Sequence, residues 1–204
     1  ASGDARQCGT TASLCGIEKA GFEGDGAAME RAVRFDLTLH AMMFIQTGIP
    51  LLYSGDELAQ VNDYSYKEDP KKAEDSRYLH RGKFHWELEG HAHDLSTPEG
   101  QVFCGLNALE ALRRTNPAFG AMADVWTLDT DDNGLLAVGR YFKGQKIIGV
   151  FNFTPWDKRV TFPHDPGEFT DMLTGEKHTL QALALPPYGF LYMEQTMPYG
   201  GEAD

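Results

Sequence analysis

The 204 residues are 42% hydrophobic and 11% aromatic, enough to bury a core in one domain or two small ones. A formal net charge of −12 makes phosphate backbones and anionic lipid poor partners, because excess carboxylates are repelled by both. No apolar stretch reaches the roughly 20 residues that cross a bilayer, so neither nucleic acid nor a membrane is expected as a partner.

The chain opens on ASGDARQ, without a basic or apolar leader pattern and without an initiator Met, and is expected to be a piece of a longer protein. Cys8, Cys15 and Cys104 cannot all pair and have no zinc-ligand spacing, which predicts free thiols and a cytoplasmic, reducing setting. The first clear period follows. Met29, Val33, Leu37, Ala41 and Ile45 recur every four residues beside a polar stripe of Glu30, Arg34 and Thr38, predicting a helix over Ala27 to Gln46 that stops at Gly48. Phe35, Leu39, Met42 and Met43 widen its apolar face, as in a helix covered on more than one side.

Ile49 to Tyr53, IPLLY, is an unbroken apolar run between glycine-bearing turns, the pattern of a parallel strand buried on both faces. From Ser54 to about Ser96 no period survives, and turn formers, charges and aromatics alternate instead. A loop of that length is functional or disordered, and its aromatics favour function. A second helix is expected from DLSTPEG to Arg114, with Ser96 and Glu99 as a capping box and Pro98 in the first turn. After Pro117, short apolar runs at Val125 to Leu128, Leu135 to Phe142, Lys146 to Phe153, Arg159 to Phe162 and Tyr188 to Met193 predict an antiparallel sandwich.

GIPLLYSGDE, Gly48 to Glu57, resembles the G-x-P-x-x-Y-x-G-x-E signature at the eighth strand of the (β/α)8 barrel in the α-amylase family, glycoside hydrolase family 13. The stretches GDARQCGTTASLCGIEKA and EDSRYLHRGKFHWE, with NPAF, VFNFT and LPPYGFLYME, are similar to the amylosucrase branch of that family. The resemblance implies an α/β fragment over residues 1–117, comprising the last helices and eighth strand of a TIM barrel, then an all-β antiparallel sandwich over 118–204. It further implies a retaining enzyme that moves glucose from sucrose to an α-1,4-glucan. The resemblance also implies that the nucleophilic Asp, acid/base Glu and stabilising Asp lie on earlier strands, outside a chain that supplies one strand of a barrel of about 250 residues. No cofactor is implied. Hydrolytic relatives, a sucrose hydrolase or an α-glucosidase, and a non-catalytic glucan-binding sandwich remain as alternatives.

Asp56 and Glu57 follow the strand, but adjacent residues of an extended chain point to opposite sides. A retaining pair must flank one sugar about 5 Å apart, so both are expected to anchor the loop. Arg77 matches an arginine that, in the resembling enzymes, closes the pocket of the glucosyl ring, and a guanidinium suits that task. The other reading of Arg77 is a surface ion pair with Asp75 or Glu74. Arg6 matches an arginine on the acceptor side. His91 and His93 lack a third ligand for zinc, and the acidic run from Asn62 to Asp75 lacks a calcium-loop pattern. Tyr64, Tyr66, Tyr78 and Trp86 could stack on sugars or on their own scaffold. The expected partners are sucrose or α-glucan, the rest of the barrel, and a second copy wherever barrel-facing apolar surface stays uncovered.

Overall fold

The computed structural model describes residues 8–165 and 167–197. Its contacts form two units, one from the chain up to Asp36 with Leu51–Gly105, the other from Leu37–Pro50 with the chain from Leu106 onward.

In the first unit, α1 (Thr11–Cys15) starts where the Thr10 hydroxyl accepts from Ser13 N and ends at Gly16, φ 101°. From that glycine α2 (Ile17–Glu23) departs, and Gly24 closes it with an N–H to Ala20 O. Helices of five and seven residues are too short to show a hydrophobic period, so only the Thr and Gly punctuation could have signalled them. The long helix α3 (Gly26–Ile45) lies within a residue of its expected bounds. Asp25 Oδ1 accepts from Ala28 N at 2.9 Å at its start. Thr38, assigned to the polar stripe, is instead fully buried, as are Asp36 and His40. Its hydroxyl donates to the Tyr188 carbonyl at 2.6 Å, which satisfies the group without water.

The expected strand at Ile49 to Tyr53 is not formed. No described strand pairs with it, and Ile49 and Leu51 are 88% and 81% exposed. A strand built to be buried on two faces needs sheet neighbours, and the described residues supply none. Between Tyr53 and α4 the chain makes four 3-10 turns, Asp56–Leu58, Ser65–Glu68, Ser76–His80 and Trp86–His91. The helix α4 (Pro98–Thr115) begins one residue later than the Ser96 cap predicts. Pro98 takes the first helical position, and the Thr97 hydroxyl accepts from Gly100 N at 3.1 Å. Ser96 donates to Asp94 Oδ1 instead.

The described residues of the second unit form eight strands, β1 (Asp124–Leu128), β2 (Leu135–Phe142), β3 (Gln145–Asn152), β4 (Lys158–Val160), β5 (Glu168–Asp171), β6 (Lys177–Thr179), β7 (Leu183–Leu185) and β8 (Phe190–Thr196). They form an antiparallel six-stranded sheet, β1-β2-β3-β8-β5-β6, and a two-stranded one, β4-β7. β5, β6 and β7 were not anticipated, because runs of three or four residues carry little alternation. Leu135, Ala137, Ile148, Val150 and Met193 of the larger sheet pack with Val160, Phe162, Leu183 and Leu185 as a sandwich core.

The opposite face of the larger sheet carries Arg140, Ile147, Gly149, Phe151 and Tyr192, all buried, against the C-terminal half of α3. Gly149 is required by this packing, since an added Cβ would lie 2.3 Å from Ile45 Cδ1. The Tyr192 hydroxyl donates to Ala41 O. Arg140, with 0% exposure, donates to Ile45 O at 2.7 Å, Ala118 O at 2.6 Å and Gly120 O at 2.8 Å. Burial lowers its pKa from the usual arginine value, and Arg113 adds to the effect.

Replacing Arg140 by Met removes a buried charge but strands the carbonyls of the buried Ile45 and Ala118, each costing about 1–3 kcal/mol when buried unpaired. Arg140→Met is therefore expected to lose about 2–4 kcal/mol of stability in urea titration. Arg140→Lys should not recover it, because an ammonium lacks the planar fork. Wild-type stability in either variant would contradict this role.

Candidate functional site

The loop from Ser54 to His91 is fastened at two side chains. Gln60, 8% exposed, donates to Lys83 O at 3.0 Å and accepts from His85 N at 3.1 Å, so one amide ties the signature turn to the far end of the loop. Its contact with Gly55 is close, since a Cβ there would lie 2.9 Å from Gln60 Cβ at a φ of +99°, and only glycine meets both demands. Asn62 Oδ1 accepts from Thr10 N at 2.9 Å, its own N donates to Ser13 Oγ at 2.9 Å, and its amide reaches Glu18 at 3.2 Å. These bonds seat the loop on α1 and α2. The sequence offers Asn62 only as a turn former and Gln60 not at all, because an amide among turn formers carries no pattern of what it will bind.

Asp56 and Glu57 both serve the signature turn. Asp56 Oδ2 accepts from Tyr53 N at 3.2 Å, and Glu57 Oε2 accepts from Gly55 N at 2.9 Å. Each carboxylate is thus bonded to backbone two or three residues away. Tyr53 packs its ring edge-on to His80 at 5.7 Å, and His80 Nδ1 accepts from Gly9 N at 3.3 Å.

Arg77 lies on the 3-10 turn Ser76–His80 and grips Asp75 with two prongs, Nε to Oδ1 at 2.8 Å and Nη2 to Oδ2 at 2.7 Å. Asp75 also accepts from Arg77 N at 3.1 Å, capping the turn. The pair is exposed, with 52% of the arginine side chain open to solvent. The guanidinium holds the Asp75 carboxyl well below its usual range, at about 2, while Asp75 raises the pKa of Arg77. Arg6 lies outside the described residues.

A cleft of about 480 Å³ opens beside this turn, lined by Tyr66, Tyr78, Asp63, Lys72, Arg81 and His85 among others. Lys72 Nζ lies 5.5 Å above the Tyr78 ring and 3.5 Å from Asp69. Tyr66 and Tyr78 are therefore brought together, while Arg77, Tyr64 and Trp86 do not line the cleft. Trp86 instead packs on Phe84 at 4.7 Å. His91 Nδ1 faces Glu99 at 3.9 Å, His93 packs edge-on against Phe103, and the three cysteines are free. The cleft places two aromatic rings beside acidic and basic side chains.

The sequence matches no family model. Among solved structures, the chain aligns with AmyP in complex with maltose at a TM-score of 0.69 and 15% identity, over 83% of its own length and 36% of that chain. With trehalulose synthase MutB from Pseudomonas mesoacidophila MX-45 the values are 0.62 and 16%, over 79% and 38%. A MutB mutant in complex with the substrate sucrose gives 0.61 and 18%, over 78% and 38%. The chain spans little more than a third of the length of the structures it matches. The likeness shows the fold, helices followed by an antiparallel sheet.

The Asp75 titration tests the Arg77 grip. A carboxyl with a folded pKa near 2 against an ordinary 3.8 contributes stability that is complete above the ordinary value and is lost as pH falls toward the folded one. Carbon-detected NMR is expected to place the Asp75 midpoint near 2, rising in Arg77→Ala toward the ordinary carboxylate range but not fully to it, because the backbone N–H of residue 77 still donates to Asp75. A midpoint equal in both proteins would refute the pairing.

Proposed function

We propose that this chain is the C-terminal part of a retaining α-glucoside-processing enzyme of the α-amylase family, with amylosucrase as the branch its motifs favour. One coincidence carries the reading. The signature Gly48 to Glu57 sits between α3 and the long loop, and the same chain aligns over about four fifths of its length with AmyP and with trehalulose synthase.

In such an enzyme a carboxylate attacks the anomeric carbon of the glucosyl donor, the donor's leaving oxygen takes a proton from an acid, and a covalent glucosyl-enzyme forms. A second attack, by an α-glucan hydroxyl or by water, releases glucose units with net retention. The reacting carboxylates belong to the longer enzyme, because Asp56 and Glu57 are committed to their own turn. This chain supplies the wall. Arg77 is its substrate-binding residue, oriented by Asp75, with guanidinium donors beyond the two that Asp75 accepts available to glucosyl hydroxyls. Arg6 is assigned to the acceptor side on the motif alone. The exposed Ile49 to Tyr53 is then the eighth strand awaiting its sheet neighbours.

Two experiments test the reading. The isolated chain is expected to release no glucose or fructose from sucrose or maltosides, and measurable turnover by it would overturn the assignment of the acids elsewhere. In the full-length protein, Arg77→Ala is expected to lower kcat/KM for the glucosyl donor by about ten- to a hundredfold, the equivalent of losing one charge-assisted hydrogen bond. Arg77→Lys should recover only part of it. Product analysis with sucrose separates the branches, since α-glucan plus fructose marks transfer and glucose plus fructose marks hydrolysis.

A further inference from the structure

The sandwich carries a second recess, of about 380 Å³, between β1 and the segment after β4. Trp126 forms one wall and the core residue Phe162 contributes the base. Trp126 pairs in register with Gly139 on β2, and a Cβ at Gly139 would lie 2.2 Å from the indole ring. The missing side chain therefore lets the indole lie directly on the neighbouring strand. That seat holds the ring flat while leaving it 36% exposed.

The polar rim is made of short acceptors. Asp129 and Asp131 stand on the β1-β2 turn, with Asp129 Oδ1 accepting from Asp131 N at 3.0 Å, and Asp131 holds φ +53°. His164 and Asp165 line the other side, with Asp165 paired to Lys146. The excess of carboxylates excludes phosphates and other anions. Among the described residues no three His, Cys, Asp or Glu side chains converge as a metal site. A flat aromatic face attracts the weakly positive C–H face of a pyranose through its quadrupole, and carboxylates at the rim accept from sugar hydroxyls.

We infer that this recess is a second carbohydrate site, holding a neutral α-glucan chain on Trp126 away from the loop that carries Arg77. The choice of an α-linked chain rests on the function proposed above; the aromatic seat and its acceptor rim do not.

Native electrophoresis of the 204-residue chain in gels containing amylopectin, with tryptophan fluorescence titrated by maltoheptaose and cellohexaose, tests the inference. Retarded migration and saturable quenching by maltoheptaose are expected. Trp126→Ala should weaken binding roughly tenfold or more. Thr161→Arg, which fills the recess from an exposed position, should abolish binding without changing the melting temperature. The inference is overturned if amylopectin leaves migration unchanged, if Thr161→Arg binds like wild type, if cellohexaose binds as well as maltoheptaose, or if oligolysine binds and glucan does not. Activity of the full-length enzyme is read separately. Loss of the recess with turnover intact removes this site alone, whereas glucan binding with no turnover on any α-glucoside removes the functional reading alone.

Discussion

The carboxyl end of α3 is closed by two arginines, and the arrangement of the second unit depends on that closure. Arg140 takes Ile45 O, while Arg113 takes Phe44 O, Gln46 O and Gly48 O. The last carbonyls of a helix have no partners of their own and carry its partial negative charge. Two guanidiniums answer both needs at once. Because Arg140 also holds Ala118 and Gly120, the same charge fixes the helix end, the turn after α4 and strand β2 together. The signature segment leaves from this anchored end, so its starting point is set by residues outside the signature.

Arg140 also marks the limit of what the sequence discloses. LLAVGRYF reads as a strand with one arginine, which by composition belongs at a surface. Only the register of the folded sheet, with Arg140 opposite Ile147, turns it toward the helix. Thr38 misled for the same reason, since a hydroxyl in a polar stripe is indistinguishable from one that donates to a distant carbonyl. By contrast α3, α4 and β2 were legible, because their length lets a period of four or of two repeat. The short elements α1, α2, β5, β6 and β7 offer one turn or one alternation each, and their ends are set by Thr10, Gly16 and Gly175 rather than by periodicity.

The candidate site was legible in its ion pair and opaque in its fastening. Asp75 and Arg77, two residues apart, form the surface pair that was one of the two readings of Arg77. That pair orients the guanidinium and leaves a role toward sugar as the proposal above. Gln60 and Asn62, which hold the loop in place, give no sign of that role in the sequence because an amide's worth depends on which backbone groups reach it. Loop geometry here is thus a product of long-range hydrogen bonds, while Asp56 and Glu57 follow from the local turn.

The apolar run at Ile49 to Tyr53 connects fold and function. Only Tyr53 has a ring neighbour, His80; Ile49 and Leu51 stay open to solvent and no described strand pairs with the run, although its composition suits a position between two strands, and on the function proposed above a sheet completed by a longer chain would bury it. Hydrogen exchange over these five residues, compared between the isolated chain and the full-length protein, measures this directly. The account predicts exchange within seconds in the isolated chain and strong protection in the full-length protein; equally fast exchange in both would contradict it.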